Sequence, residues 1–281
     1  MVKGSLQKLE TIPGGWVLID LHSHILPGID DGARTYEDSL AIAKMAVADG
    51  IQVMACTPHF MPGLYNNSSD DIRRRVDELN DRLIAEGINL ALVVGADAHI
   101  RPDFTNALRT GQILSLHDSR YVLFEPPHVS MPQRFEELLF NIQMAGYVPI
   151  LTHPERFKWI ETSYQVFENL ARSGVWMQLT AGSLTGRFGK RSRYWAQRML
   201  SEGLVSIIAT DAHNVTSRPP LLAEAMAAAE KEVGLDEARH LVVTRPLGVL
   251  ENAAADAVPP IMVPEVPKPE QTSFWRRILR R

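Results

Sequence analysis

Asp20-Leu21-His22-Ser23-His24 ends the first apolar run of the chain on a pair of histidines. Four later apolar runs end on the same residue types, at Thr57-Pro58-His59, Phe124-Glu125, Thr152-His153 and Thr210-Asp211-Ala212-His213. A strand that stops at a metal-type ligand, repeated along one chain, describes a parallel barrel whose strand ends converge on a single polar cluster. Such a site is assembled from across the whole sequence.

Working outward, seven short runs rich in Val, Ile and Leu read as strands: 16–21, 51–57, 90–94, 121–125, 148–152, 175–179 and 205–210. They are continuously apolar rather than alternating, which implies burial on both faces. Between them lie helical patterns at 36–49, 70–86, 132–145, 164–173, 193–201 and 221–233, several closed by a following glycine. Alternation of strand and helix gives right-handed βαβ units and a parallel sheet with helices outside it. The expectation is an α/β fold, a distorted seven-stave (β/α) barrel. A doubly wound open sheet is the alternative, since periodicity does not decide closure.

The 281 residues, 45% of them hydrophobic, suffice for one large domain. A net charge of −4 provides no bulk attraction to nucleic acid or anionic lipid. One cysteine excludes an internal disulfide framework, and no stretch reads as a secretory signal or membrane span, so a cytoplasmic protein is expected. Residues 1–256 are read as the barrel and 257–281 as a tail. That tail is proline-rich from Val258-Pro259-Pro260 to Pro269 and therefore expected to be an extended, mobile linker. It ends in Phe274-Trp275-Arg276-Arg277-Ile278-Leu279-Arg280-Arg281. A weak contact with a membrane surface or partner and a solvated basic terminus are the two readings of those last eight residues.

His22 and His24 stand two apart at a strand end, so their side chains leave on one face and can grip one ion. H-x-H alone means little, but His59, His153 and His213 occupy equivalent ends of three later strands. The accompanying acids are Asp20, Asp30, Asp31, Asp97, Glu125 and Asp211. Carboxylates bring the negative charge that several close divalent ions require and can bridge two of them, so a polynuclear site is implied.

The block from Asp20 through Ile29-Asp30-Asp31-Gly32 resembles the opening motif of the PHP (polymerase and histidinol phosphatase) superfamily. Within it the likeness is to the bacterial manganese-dependent tyrosine-protein phosphatases associated with capsule and exopolysaccharide synthesis. It continues through Thr57-Pro58-His59, Gly95-Ala96-Asp97, Thr152-His153-Pro154-Glu155-Arg156, Asp211-Ala212-His213-Asn214 and Ser217-Arg218-Pro219-Pro220, covering roughly residues 18–252. The resemblance implies three neighbouring divalent ions, manganese first, with iron, zinc and cobalt also suited to such ligands. The first would be held by His22, His24, Asp97 and Asp211, the second by a bridging Asp97 with Glu125 and His153, and the third by Asp31, His59 and His213. At position 97 the family usually carries glutamate, so the bridge here is one methylene shorter.

Clustered divalent ions make water acidic enough to attack a phosphoester near neutral pH, in line and without a phosphoenzyme. Arg156 and Arg218 lie just beyond ligand-bearing strands and match arginines of the family, where a planar guanidinium can grip phosphate at two points. Cys56 does not supply the other chemistry for phosphotyrosine, because a C-x5-R loop would need arginine where the chain has Pro62. The resemblance therefore implies a metal-dependent protein-tyrosine phosphatase acting on a bacterial tyrosine kinase that regulates polysaccharide synthesis. Two rivals are a PHP phosphoesterase for a small molecule such as histidinol phosphate and a non-catalytic PHP binding module. Asp31 and the Ser217–Pro220 loop favour the tyrosine-phosphatase branch over the first, and the full ligand set argues against the second.

Overall fold

A computed structural model describes residues 17–262. Among them are nine strands: β1 (Leu18–Ser23), β2 (Ile51–Cys56), β3 (His59–Phe60), β4 (Ala91–Val94), β5 (Asp97–His99), β6 (Tyr121–Glu125), β7 (Val148–Thr152), β8 (Trp176–Thr180) and β9 (Ile207–Ala209). All pairings between them are parallel, in the orders β1-β2-β4 and β3-β5-β6-β7-β8-β9. β2 runs into β3 and β4 into β5 after two-residue breaks, so the nine strands form seven staves, as the sequence implies. The breaks fall at Thr57-Pro58, where proline has no N–H for the ladder, and at Gly95-Ala96. A Cβ on Gly95 would stand 2.9 Å from Thr57 Cγ2 and 3.0 Å from Leu116 Cδ2, so the bend demands glycine.

The sheets curl into a distorted barrel rather than the open alternative. The first and last staves meet at the mouth, where His24 N donates to Ala212 O at 2.8 Å and Asp211 N donates to His22 O at 2.9 Å. Apolar side chains fill both sides of the wall. Ile19, Leu21, Val53, Val93, Leu123, Ile150 and Ile207 pack inside, while Leu18, Met54, Leu92, Val122, Leu151, Met177 and Ile208 join a larger cluster with the helices.

That outer layer comprises α1 (Tyr36–Ala48), α2 (Ser69–Ala85), α3 (Phe104–Arg109), α4 (Phe135–Met144), α5 (Ile160–Arg172), α6 (Ala181–Leu184), α7 (Gly189–Ser201), α8 (Ala223–Val233), α9 (Leu235–Arg239) and α10 (Arg245–Leu250). Local chemistry sets the starts of the first two. Thr35 and Asp38 form a reciprocal capping box on α1, and Ser68 caps α2 through Asp71 N. α5 and α7 each begin four residues earlier than the apolar period indicates. The short α3, α6, α9 and α10 have no such period at all.

Residues 257–262 pack on the barrel. Val258 is buried against Gly248, and the carbonyls of Pro259 and Pro260 accept from Arg245. The expected strand start at Trp16 and the basic terminus at 274–281 lie outside the described residues. Among the described residues no helix is long and apolar enough to cross a membrane.

Candidate active site

All nine expected ligands lie at the mouth. His22 lies within, and His24 just after, a shift in the β1–β2 register between Asp20 and Ser23, an irregularity of the kind that re-aims side chains beside functional sites. His59 and Asp97 are register partners on β3 and β5, and Glu125 ends β6. His153 immediately follows β7 and Asp211 lies two residues past β9, with φ of 36° and 54°, a left-handed backbone that costs energy in non-glycine residues and clusters at functional sites. Asp31 hangs from the 24–35 loop. A Cβ on Gly32 would fall 2.0 Å from His24 O, so this loop folds tightly back on β1 only with glycine there.

Three histidines are pre-aimed by bonds at Nδ1. His22 Nδ1 faces Gln178 Oε1 at 2.8 Å, His24 Nδ1 faces Asp30 Oδ2 at 2.7 Å, and His213 Nδ1 faces Asp211 O at 2.9 Å. With the proton assigned to Nδ1 by these acceptors, each ring turns the lone pair of Nε2 inward, the usual work of residues behind a metal ligand. Asp30 is itself fixed by the backbone N–H groups of Gly32 and His59.

The inward atoms gather in four groups, the members of each within 4.8 Å of one another: His22, His24 and Asp211; His24, Asp31, His59 and His213; His59, His99 and Glu125; and Glu125, His128 and His153. These groups divide the donors differently from the implied ligand sets. His24 faces two groups, and Asp97 stands in none of them, although its Oδ2 lies 3.3 Å from His59 Nδ1 and 3.6 Å from His22 Nε2. Both Asp97 oxygens, His59 Nδ1, Glu125 Oε2 and His213 Nε2 are buried without a hydrogen-bond partner. Buried polar atoms are ordinarily paired, so this convergence of imidazole and carboxylate donors fits divalent cations.

Electrostatics point the same way. Burial disfavours charge on His24, yet Asp30 and Asp211 raise its pKa to about 10, putting a proton where a cation would sit. Burial together with His24 lowers His213 to about 4. Against the cost of burial, the neighbouring His22 and Arg218 hold Asp211 well below the usual carboxylate range.

Arg156 Nη1 and Arg218 Nη2 reach Asp211 Oδ2 at 2.6 and 2.5 Å, and the Arg156 guanidinium lies over the Phe188 ring at 4.6 Å. Their side chains are 17% and 22% exposed, so positive charge lines the opening. Cys56 is fully buried, and burial pushes its thiol pKa up, which removes it as a nucleophile.

Sequence reasoning missed His99, His128 and Gln178. Gln178 had a signal, as a lone amide inside an apolar strand. His99 repeats the H-x-H logic as Asp97-Ala98-His99. His128, in a loop, had none.

Relatives match this chain along nearly its whole folded length. Tyrosine-protein phosphatase YwqE of Bacillus subtilis (strain 168) is 37% identical over 243 residues, covering 86% of this chain and 95% of that protein. Tyrosine-protein phosphatase CpsB of Streptococcus pneumoniae is 27% identical over 238 residues, 83% and 98% of the two chains. A chain from the crystal structures of YwqE from B. subtilis and CpsB from S. pneumoniae, described as metal-dependent tyrosine phosphatases, superposes with a TM-score of 0.81 at 37% identity. That match covers 84% of this chain and 96% of the other. Residues 18–251, which hold every element of the barrel and every group at its mouth, match the family described as "Capsular polysaccharide synthesis, CpsB/CapC", and to that family the chain belongs.

Proposed function

We propose that this protein is a metal-dependent protein-tyrosine phosphatase of capsular or exopolysaccharide synthesis. Its substrate is read as the phosphotyrosine of a bacterial tyrosine kinase in the cytoplasm. The observation that carries the reading is the set of buried, hydrogen-bond-free donor atoms at the mouth, placed beside two arginines. Three manganese ions are the proposed complement, held by His22, His24, Asp31, His59, Asp97, Glu125, His153, Asp211 and His213. Bound there, divalent ions supply positive charge for the phosphoryl oxygens and lower the pKa of water toward neutrality.

The chain's own groups supply the rest. Gln178, Asp30 and the Asp211 carbonyl hold three imidazoles in the tautomer that presents Nε2. Arg156 and Arg218 bear on the phosphoryl group from one side, where their charge stabilises the negative charge spread over the transition state. Tyr65, stacked on His59 with ring centroids 5.4 Å apart, offers the rim an aromatic surface for the substrate ring. Tyrosinate, whose acid has a pKa of about 10, leaves with little protonation, which suits a site whose imidazoles are committed to ligation. The small-molecule alternative is less supported, because the relatives that match along nearly their full length are named tyrosine-protein phosphatases.

The test is hydrolysis of a phosphotyrosine peptide by metal-stripped protein before and after addition of Mn²⁺, with a His22→Ala/His24→Ala double variant alongside. Restoration in the wild type and a loss of about 100-fold or more in the variant are expected, since even residues behind a ligand are worth 10- to 100-fold. A metal-loaded wild type that turns over no phosphotyrosine peptide overturns the reading.

A further inference from the structure

The two oxygens of Glu125 face two histidines, and the contacts differ in kind. His128 Nε2 makes an aligned hydrogen bond to Oε1 at 2.9 Å. His99 Nε2 stands closer to Oε2, at 2.6 Å, yet the pair lacks hydrogen-bond alignment, and Oε2 has no hydrogen-bond partner. With His59 they form one of the groups whose ligand atoms all lie within 4.8 Å of one another. This is the arrangement of neighbouring ligands on one ion.

The placement follows from the strands. Asp97 and His99 are two apart on β5 and share a face, and His99 is the register partner of Glu125 on β6. His59 adds a constraint. Its Nε2 faces Asp31 at 3.4 Å, while its Nδ1 faces Glu125 Oε2 at 3.5 Å. A neutral imidazole has one lone pair, so His59 serves only one of these sides. When it serves the Asp31 and His213 side, the Oε2 side of Glu125 needs another nitrogen, and His99 is the one within reach.

The geometry points to His99 as a direct ligand, through Nε2, of the divalent cation that Glu125 holds through Oε2. His128 instead bonds to Oε1 and orients it. The inference rests on the metal-dependent reading above, and it adds an imidazole where the implied ligand set has only carboxylates and His153. An extra nitrogen shifts such a position toward borderline cations such as Fe²⁺, Co²⁺ and Zn²⁺ and away from Mg²⁺.

The experiment uses the full chain, stripped of metal and titrated with Mn²⁺. Free Mn²⁺ is followed by electron paramagnetic resonance, and directly bonded nitrogens are counted by pulsed methods on the bound ion. His99→Ala is expected to weaken one Mn²⁺ position by at least about tenfold and to remove one coordinated nitrogen. His128→Ala should leave that nitrogen count unchanged. His99→Gln, which keeps bulk and polarity, guards against a folding defect and should lose the same nitrogen. Unchanged affinity and nitrogen count in both His99 variants overturn the assignment while leaving the metal reading intact. A wild type that binds no Mn²⁺ overturns both, and none of these readouts depends on turnover.

Discussion

Glu125 and Glu237 are both buried carboxylates facing nitrogen bases, at opposite ends of the barrel, and they are completed in opposite ways. At the closed end, Arg245 and Glu237 are each about 1% exposed and joined by two contacts of 2.8 and 2.9 Å. The remaining guanidinium hydrogens go to Ser206 O, Pro259 O and Pro260 O, so all five donors are used, and Glu237 also accepts from Met262 N. At the mouth, Glu125 Oε2, both Asp97 oxygens and His59 Nδ1 have no hydrogen-bond partner. A buried ion pair whose every valence is filled needs nothing more, whereas a buried cluster with open valences on both acids and bases is built around something positive.

The sharpest way to break this contrast is to leave one of the filled partners unpaired. Arg245→Ala strands Glu237 in the core and frees the chain at Pro259 and Pro260. A loss of about 3–5 kcal/mol of unfolding free energy is expected in denaturant titrations, with activity per folded molecule unchanged. If the variant kept its stability, the closed end would not be the structural half of the comparison.

Asp20 lies between the two cases. Its carboxylate accepts from the N–H groups of Thr210 and His22 and from the Thr210 hydroxyl, yet burial raises its pKa to about 6. A raised carboxyl favours folding while it is protonated. As pH climbs from about 4 toward about 6, the unfolded chain gives up this proton before the folded one does, so stability falls through that window and then levels. A shift from 3.8 to about 6 corresponds to about 3 kcal/mol. In metal-free protein, Asp20→Asn should therefore gain on the wild type by up to that amount over the window, read from denaturant midpoints at stepped pH. An unchanged difference would mean that Asp20 is already ionised.

The smallest expected effect separates the ends directly. Mn²⁺ at 100 times its dissociation constant should stabilise the wild type by about 2.7 kcal/mol, and Arg245→Ala should show the same increment from its lower baseline. The His22→Ala/His24→Ala variant should lose much of it. An Arg245→Ala protein that gained nothing from Mn²⁺ would show that the two ends are not independent.

The same contrast explains what the sequence made legible. The staves could be read because burial on both faces leaves an unbroken apolar run, and the candidate site because polar residues at the ends of such runs stand out. Where a stave is interrupted, as at Thr57-Pro58 and Gly95-Ala96, the apolar run stops at the break, and the short strands beyond it, His59–Phe60 and Asp97–His99, carry polar residues and leave no run to read. His99 was passed over because its meaning depends on being opposite Glu125, a fact of register rather than of spacing. Arg245 and Glu237 left no trace for a related reason. Eight residues apart in a helical stretch, they face each other only because the chain passes through a π turn at His240–Thr244 between α9 and α10. Short elements such as α3 and α6 are held by tertiary packing alone and have no period to read.

The joint between the first and last staves also carries a temporal consequence. His22 and Asp211, and His24 and Ala212, are bonded across almost 190 positions of chain, so the mouth is a seam between the two ends of the barrel. The groups that pair His22 and His24 with Asp211, and His24, Asp31 and His59 with His213, do not exist until residue 213 has been synthesised and has returned to β1. Such long-range closure is among the slowest events available to a folding chain. Cation capture at these positions therefore reports that the barrel has been completed, and a nascent or truncated chain cannot retain ions there prematurely.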